Sequence, residues 1–90
     1  METTYEKEKI KMLSKELIKF MRVLVGYTQE ELSQAVNREG TYINKVELGK
    51  LAPPQIVQLN IVKACKDAGM TDIQFALMKV LTEEGSVKND

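Results

Sequence analysis

The sequence predicts an all-α protein with five helices. Helix-start and helix-stop signals recur along the chain, whereas the alternating patterns typical of strands are nearly absent. Apolar residues also return at the three- and four-residue spacing of an amphipathic helix. With 90 residues, of which 43% are hydrophobic and 29% charged, the chain has the length and composition of one globular domain. We expect this domain to cover residues 1–85 and residues 86–90 to form a flexible tail.

The first helix is expected to be long. A capping box opens it at residues 3–6, where a threonine is followed three positions later by a glutamate. Apolar residues then continue at helical spacing to Val25, and Gly26 stops the helix. The predicted first helix therefore covers about residues 5–25.

The second and third helices are short and closely spaced. The segment Thr28-Gln29-Glu30-Glu31 is a second capping box, and the helix that it opens ends near Val36. Asn37 follows where a left-handed turn residue is expected, since asparagine tolerates that conformation. The third helix is predicted from about Gly40 to Leu48, and Gly49 ends it.

Two further helices complete the chain. Pro53-Pro54 opens the fourth helix, since proline suits a first helical turn, and Gly69 ends it. Residues 71–74 form a third capping box and open the fifth helix, which is predicted to end before Gly85. Cys65 is expected to pack in the fourth helix as a small apolar residue.

The composition argues against catalysis. There is no histidine, which is the commonest general base, and the single cysteine cannot build a metal site. The pairs Glu30-Glu31 and Glu83-Glu84 are adjacent in sequence, so their side chains point apart on a helix and are interpreted as solvated surface. We therefore expect no enzymatic activity, metal, cofactor or small-molecule substrate.

The chain is expected to be cytoplasmic. No apolar run approaches the ~20 residues of a membrane span, so no membrane partner is expected. The first four residues lack the pattern of a signal peptide, and a single cysteine agrees with a reducing compartment. The 13 basic residues balance the 13 acidic ones, so the net charge neither supports nor excludes nucleic-acid binding.

The segment from residue 28 to residue 49 has the order and spacing of elements typical of a helix-turn-helix, in which a tight turn joins two short helices. Leu32 and Val36 form the inner face of the first of these helices, and Ser33 is small where the second must approach closely. Ile43 and Val46 form the inner face of the second helix. The outer face of the second helix then carries side chains suited to base and phosphate contacts, namely Thr41, Tyr42, Asn44 and Lys45.

Over about residues 14–69 the chain resembles the lambda-repressor-like, Cro-type helix-turn-helix proteins. Single matches are weak, but together they make a fairly specific pattern without a gap. The matching residues are Arg22, Gly26, Thr28, Gln29, Glu31, Leu32, Ile43, Glu47, Gly49 and Pro53.

The resemblance implies roles for individual positions on double-stranded DNA. Gln29 would bind a phosphate, and Lys50 lies just past the recognition helix, where it would bind another. Thr41 and Lys45 would reach base edges in the major groove. The family also has a partly buried ion pair between the first helix and the recognition helix, and its counterpart here is Arg22 with Glu47. Tyr42 and Asn44 would flank the base-reading positions and reach bases or phosphates.

Three neighbouring residues depart from the family pattern. Arg38 stands where an apolar residue usually plugs the turn, and it is expected to turn outward toward a phosphate. Gly40 replaces a long polar side chain that often reads a base. Glu39 adds a negative charge that repels phosphate unless it accepts a hydrogen bond from cytosine N4.

The first and fifth helices carry more apolar residues than the motif needs. On the first helix, a coiled-coil-like seam is formed by Ile10, Leu13, Leu17, Phe20 and Leu24. On the fifth helix, the predicted stripe contains Ile73, Ala76, Leu77, Val80 and Leu81, with Phe75 and Met78 outside it. The two helices either pack along each other within one chain or build a homodimer, and we expect both. The residues expected at this dimer or helix–helix interface are those of the seam together with Phe75, Leu77, Met78 and Leu81.

The function expected from these features is that of a dimeric, sequence-specific transcriptional regulator, a repressor of the phage or mobile-element kind. Two alternatives stay open. One is a protein-interaction module with the same scaffold, such as an antirepressor or the partner of another regulator. The other is the antitoxin of a two-gene module, which would bind both a protein partner and DNA.

Overall fold

The computed structural model describes residues 13–87, with side chains to residue 82, and this part of the chain is helical without strands. It contains five helices: α1 (Lys15–Val25), α2 (Gln29–Ala35), α3 (Tyr42–Glu47), α4 (Gln55–Asp67) and α5 (Asp72–Val87). The prediction of an all-α chain with five helices is therefore confirmed for these residues. Among the described helices, none has both the length and the apolar character needed to cross a membrane.

The predicted start of the first helix at residue 5 is wrong. Ser14 is extended and its Oγ accepts a hydrogen bond from the backbone N of Leu17 at 3.0 Å, so α1 begins at Lys15. A serine with this geometry is an N-cap, and it interrupts an apolar pattern that continues on both sides of it. The predicted capping box at residues 3–6, together with Ile10, lies outside the described residues.

The other two capping boxes are present. Thr28 Oγ1 accepts from the backbone N of Glu31 at 3.0 Å, and the Glu31 carboxylate accepts from the N of Thr28 at 2.9 Å. Thr71 and Gln74 exchange the same two bonds at the start of α5. Each box supplies hydrogen-bond acceptors to N–H groups that have none inside the helix. Because the two residues of a box are only three positions apart, the sequence alone indicates where these helices begin.

Helices α1 to α4 all end in the same hydrogen-bonded turn. A residue in the left-handed region follows each of them, with φ from 63° at Asn37 to 117° at Gly69. The N–H of the next residue then donates to a carbonyl five positions earlier, as in the bond of 2.9 Å from Arg38 N to Ser33 O. The left-handed conformation predicted for Asn37 is confirmed.

Two helix boundaries differ from the prediction. Gly40 and Thr41 precede α3 instead of belonging to it, and Thr41 is the N-cap residue. Helix α5 continues through Gly85 to Val87, so its predicted end before Gly85 is wrong. A glycine inside an exposed helix costs only about 1 kcal/mol, which is too little to end the helix reliably.

The hydrophobic core lies between α1, the two short helices and α4. Helices α1 and α4 contribute three buried side chains each and α3 contributes two, while α2 contributes Leu32 and is followed directly by Val36; Met70 closes the core after α4. Cys65 packs inside it as predicted, and burial raises the pKa of its thiol to about 11. The core consists of Leu17, Ile18, Met21, Leu32, Val36, Ile43, Val46, Val57, Ile61, Cys65 and Met70.

Helix α5 packs against α1 within the chain. Of the α5 residues expected at a dimer or helix–helix interface, Phe75 and Met78 are half-buried against the core, whereas Leu77 and Leu81 are exposed. We call the exposed apolar residues of this helix the outer face of α5; they are Ile73, Ala76, Leu77, Val80 and Leu81. Both faces of α5 are apolar, so periodicity alone cannot choose between them.

The continuous seam predicted along the first helix is also wrong for the described residues. Leu13 precedes α1 and packs on the core, and Leu17 is fully buried in the core itself. Only Phe20 and Leu24 of the predicted seam lie exposed on α1, next to Val23. Two features break the seam: α1 begins at Lys15, so Leu13 lies outside the helix, and Leu17 faces the core together with Ile18 and Met21.

Candidate nucleic-acid interface

Helices α2 and α3, here called the helix pair, are joined by residues 36–41 and pack against each other. Leu32 and Val36 lie buried on one side of the contact, and Ile43 and Val46 on the other, as the sequence predicts. Each residue pair is spaced by three or four positions, so it lies on one face of its helix. The apolar contact fixes which side of α3 faces outward.

Ser33 joins the two helices through its hydroxyl. The hydroxyl donates to the carbonyl of Gln29 at 2.8 Å and accepts from the backbone N of Ile43 at 2.9 Å, and the side chain is fully buried. The N-cap residue Thr41 makes no side-chain capping bond, so Ser33 supplies the partner that the start of α3 needs. The sequence indicates only that residue 33 is small.

The ion pair implied by the resemblance is present. Arg22 Nε lies 2.7 Å from Glu47 Oε2, and Arg22 Nη2 lies 3.2 Å from Glu47 Oε1. A third guanidinium nitrogen, Nη1, donates to the carbonyl of Tyr27 at 3.0 Å. The side chains are only 13% and 7% exposed, so the pair is well shielded from water. It fastens the end of α3 to α1.

Gln29 and Asn44 extend this pair into a chain of polar contacts. Gln29 Nε2 donates to Glu47 Oε1 at 2.9 Å, while Asn44 Nδ2 donates to Gln29 Oε1 at 3.1 Å. Both side chains are half-buried. A primary amide has two N–H groups, so Gln29 and Asn44 each donate one to this network and keep a second one.

The exposed side of α3 carries three residues one helical turn apart, Thr41, Lys45 and Leu48, which we call the outward face. Thr41 and Lys45 were predicted as base-reading residues. Leu48 was missed, although its spacing from Thr41 and Lys45 in the sequence places it in the same row. An apolar side chain there is suited to the methyl group of thymine.

Arg38 points outward, as expected from its unusual place in the turn. Its Cζ lies 5.5 Å from the centre of the Tyr42 ring, within the range of a cation–π contact. Tyr42 is half-buried and packs on the core. This contact holds the guanidinium beside the outward face, and Lys50 lies exposed past the other end of α3.

Two carboxylates also lie near this side of the helix pair. Glu39 Oε2 is 3.7 Å from Lys45 Nζ, and both side chains are largely exposed. A Cβ atom added to Gly40 would lie 3.2 Å from Cγ of Glu30. The surface therefore has mixed charge, with the exposed cations Arg38, Lys45 and Lys50 together with the carboxylates of Glu30 and Glu39.

Comparison of the chain with protein-family models, with curated proteins and with solved structures found no match.

Proposed function

We propose that the chain is a sequence-specific, DNA-binding transcriptional regulator. It is a dimeric repressor of the phage or mobile-element type with a lambda-repressor-like helix-turn-helix fold, and it acts in the cytoplasm without catalysis. The helix pair is the helix-turn-helix, and the outward face of α3 enters the major groove. Repression follows from occupying an operator that polymerase needs.

The observation that carries this proposal is the contrast between the two sides of α3. Its inner side is fixed by the apolar contact, by Ser33 and by the Arg22–Glu47 ion pair. Its outer side presents Thr41 and Lys45 to solvent. A rigid base that holds exposed donors in one row is what base reading requires, since misplaced donors cannot match base edges.

Phosphate contacts come from residues around the outward face. Arg38 and Lys50 lie exposed on either side of α3, and Gln29 keeps one amide hydrogen at the start of α2. Contacts of this kind set the register of the protein on the duplex, and their number determines the salt dependence of binding.

Dimerisation uses the outer face of α5. Ile73, Leu77 and Leu81 are 73%, 59% and 68% exposed, which is unusual for large aliphatic side chains of a monomer. A second copy would cover this face and present two recognition helices about 34 Å apart, the spacing of one DNA turn.

The test is a gel shift combined with light scattering on one sample, using duplex DNA from the region upstream of the chain's own gene. We expect binding that weakens steeply with salt, and the mass of a dimer. Lys45→Ala should weaken binding by ~1–3 kcal/mol if Lys45 reads a base. A chain that binds no duplex at low salt would contradict the proposal.

Dimerisation is tested separately by Leu77→Lys, with Asn60→Lys on the exposed side of α4 as the control for added charge. Leu77→Lys should reduce the mass to that of a monomer, because a charge in an apolar interface loses its hydration. Asn60→Lys should leave the dimer intact. If both variants remain dimeric, the interface lies elsewhere.

The second candidate is a protein-interaction module, either an antirepressor or a partner of another regulator; an antitoxin, which would bind both a protein partner and DNA, is a third. The same outer face of α5 favours the interaction module, because a different protein could cover that face as well as a second copy. The carboxylates of Glu30 and Glu39 near α3 also favour it, since they repel phosphate. A monomer in light scattering that binds no DNA would select this candidate over the repressor.

A further inference from the structure

Glu39 and Lys45 form an ion pair at the start of the outward face. The distance from Lys45 Nζ to Glu39 Oε2 is 3.7 Å, and the side chains are 49% and 72% exposed. Such an exposed pair adds little to stability, because water screens it and two flexible side chains must be ordered to make it. The fold therefore does not depend on this ion pair. Because the pair lies beside the outward face, we consider a role in binding instead.

The backbone around the start of α3 fixes the positions from which the Glu39 and Lys45 side chains extend. The carbonyl of Glu39 accepts from the N of Tyr42 at 3.0 Å, which ties Glu39 to the first turn of α3. Lys45 lies one turn farther along the helix. The neighbouring cation, Arg38, lies over the ring of Tyr42 instead of pairing with Glu39 among the described contacts. Lys45 is thus the cation that neutralises Glu39.

The chemistry of the pair matches one base pair. In the major groove, a C·G pair presents the N4 donor of cytosine beside the O6 and N7 acceptors of guanine. A carboxylate accepts from N4, and an ammonium donates to O6 or N7. An A·T pair also presents a donor, adenine N6, but this donor lies between the acceptors adenine N7 and thymine O4, whereas in C·G the two acceptors of guanine lie side by side for lysine. Lysine also neutralises the carboxylate, which phosphates would otherwise repel.

We propose that Glu39 and Lys45 together read one C·G base pair, exchanging their mutual ion pair for the two bases. This inference rests on the proposed DNA-binding function and adds the sequence preference of its recognition helix. Each half-site of the operator then contains a C·G pair opposite the start of α3, and Glu39 contributes specificity although its charge lowers affinity for DNA in general.

The test is a binding selection from a library of random 20-bp duplexes, followed by affinity measurements on single base-pair changes in the selected site. The variants are Glu39→Gln and Lys45→Met, with Glu30→Gln as the matched control for loss of one nearby carboxylate. Circular dichroism of each variant checks that the helices are intact, which we expect because all three side chains are exposed.

The wild type should prefer C·G at one position of each half-site by roughly 10-fold or more. Glu39→Gln should lose this preference and turn toward A·T, since glutamine pairs with adenine N6 and N7. It should also bind unrelated duplexes more tightly, because a repulsive charge is gone. Lys45→Met should lose the preference for guanine, and Glu30→Gln should select the wild-type site.

Two outcomes would overturn the inference in distinguishable ways. If the wild type selects a defined site and Glu39→Gln selects the same site with the same base preferences, the inference is wrong and the proposed function stands. If the wild type enriches no duplex at low salt, the proposed function is wrong and the inference falls with it.

Discussion

The helix pair and α5 differ in how their faces are determined. In the helix pair, polar and apolar residues lie on opposite faces of each helix, so only one face can be buried. Polar contacts at 2.7–3.2 Å then fix the position of α3 relative to α1 and α2. In α5 both faces are apolar, and only the contact with α1 and the core decides which one is inside. Specific polar contacts thus define the first region, whereas burial alone defines the second.

The largest expected effect is in the helix pair. Arg22→Ala should lower the free energy of unfolding by ~3–5 kcal/mol, because the shielded carboxylate of Glu47 keeps its hydrogen bond from Gln29 but loses the positive charge that compensates it. Urea unfolding followed by circular dichroism measures the loss. The control is Lys63→Ala, which breaks an ion pair of 3.1 Å whose side chains are 73% and 67% exposed, and it should cost below about 1 kcal/mol.

Similar losses for the two variants would show that the Arg22–Glu47 pair behaves as a surface pair. The helix pair would then not be defined by polar contacts, because the ion pair expected to contribute most to its stability would contribute little.

The next effect tests the orientation of α5. Phe75→Ala should cost about 2–3 kcal/mol, less than a fully buried phenylalanine, because Phe75 is half-buried against the core. Leu77→Ala should stay within about 0.5 kcal/mol at protein concentrations where the chain is monomeric. Thermal unfolding of both variants at two concentrations measures this, since a dimer interface makes the Leu77 effect concentration-dependent. The opposite ranking would mean that the stripe predicted from the sequence is the inner one.

The third effect concerns the buried hydroxyl of the helix pair. Ser33→Ala should cost about 1–3 kcal/mol, because the buried N–H of Ile43 loses its acceptor. Thr41→Ala removes a hydroxyl that makes no capping bond at the same helix start, so it should cost less than about 0.5 kcal/mol. Chemical denaturation compares the two, and equal losses would argue against the cross-helix bond.

The smallest effect concerns Cys65, which lies in the core that contacts both the helix pair and α5, and it tests whether these two regions unfold as one unit. Burial raises the pKa of the Cys65 thiol to about 11, whereas the ordinary value is 9.0. The folded state therefore keeps its proton at a pH where the unfolded state has lost it. The associated stability is complete below pH 9 and disappears as the pH rises toward 11, with a loss of about 1.4 kcal/mol at pH 10.

This loss is measured as the difference between the wild type and Cys65→Ala across that pH range, since other groups titrate equally in both. Circular dichroism and tyrosine fluorescence should report the same midpoint if the core holds both regions together. A pH-independent difference would mean that the thiol reaches water in the folded chain.

Much of the fold could be predicted from the sequence, for physical reasons that differ by element. The Thr28 and Thr71 boxes and the turn at Asn37 are local, because their hydrogen bonds join residues close in sequence. The start of α1 at Ser14 is equally local, but it lies inside an apolar pattern that suggested a longer helix. The inward face of α5 depends on residues far away in sequence, so no local signal determines it.

The candidate site divides in the same way. Arg22, Glu47 and the exposed Lys45 follow from the family pattern of the sequence. The bonds from Asn44 to Gln29 and from Ser33 to Ile43 do not, because they join residues 15 and 10 positions apart through a packed helix contact. The pairing of Glu39 with Lys45 was likewise not apparent, although both residues were recognised individually.

The place of Glu30 beside Gly40 bears on how this surface can evolve. A Cβ at position 40 would lie 3.2 Å from Cγ of Glu30, so a new side chain there needs that exposed glutamate to shift by a few tenths of an ångström. A shorter residue at position 30 would make this room and remove one negative charge at the same time. Substitutions at the two positions are therefore coupled: the side chain that position 40 accepts most readily depends on which residue stands at position 30.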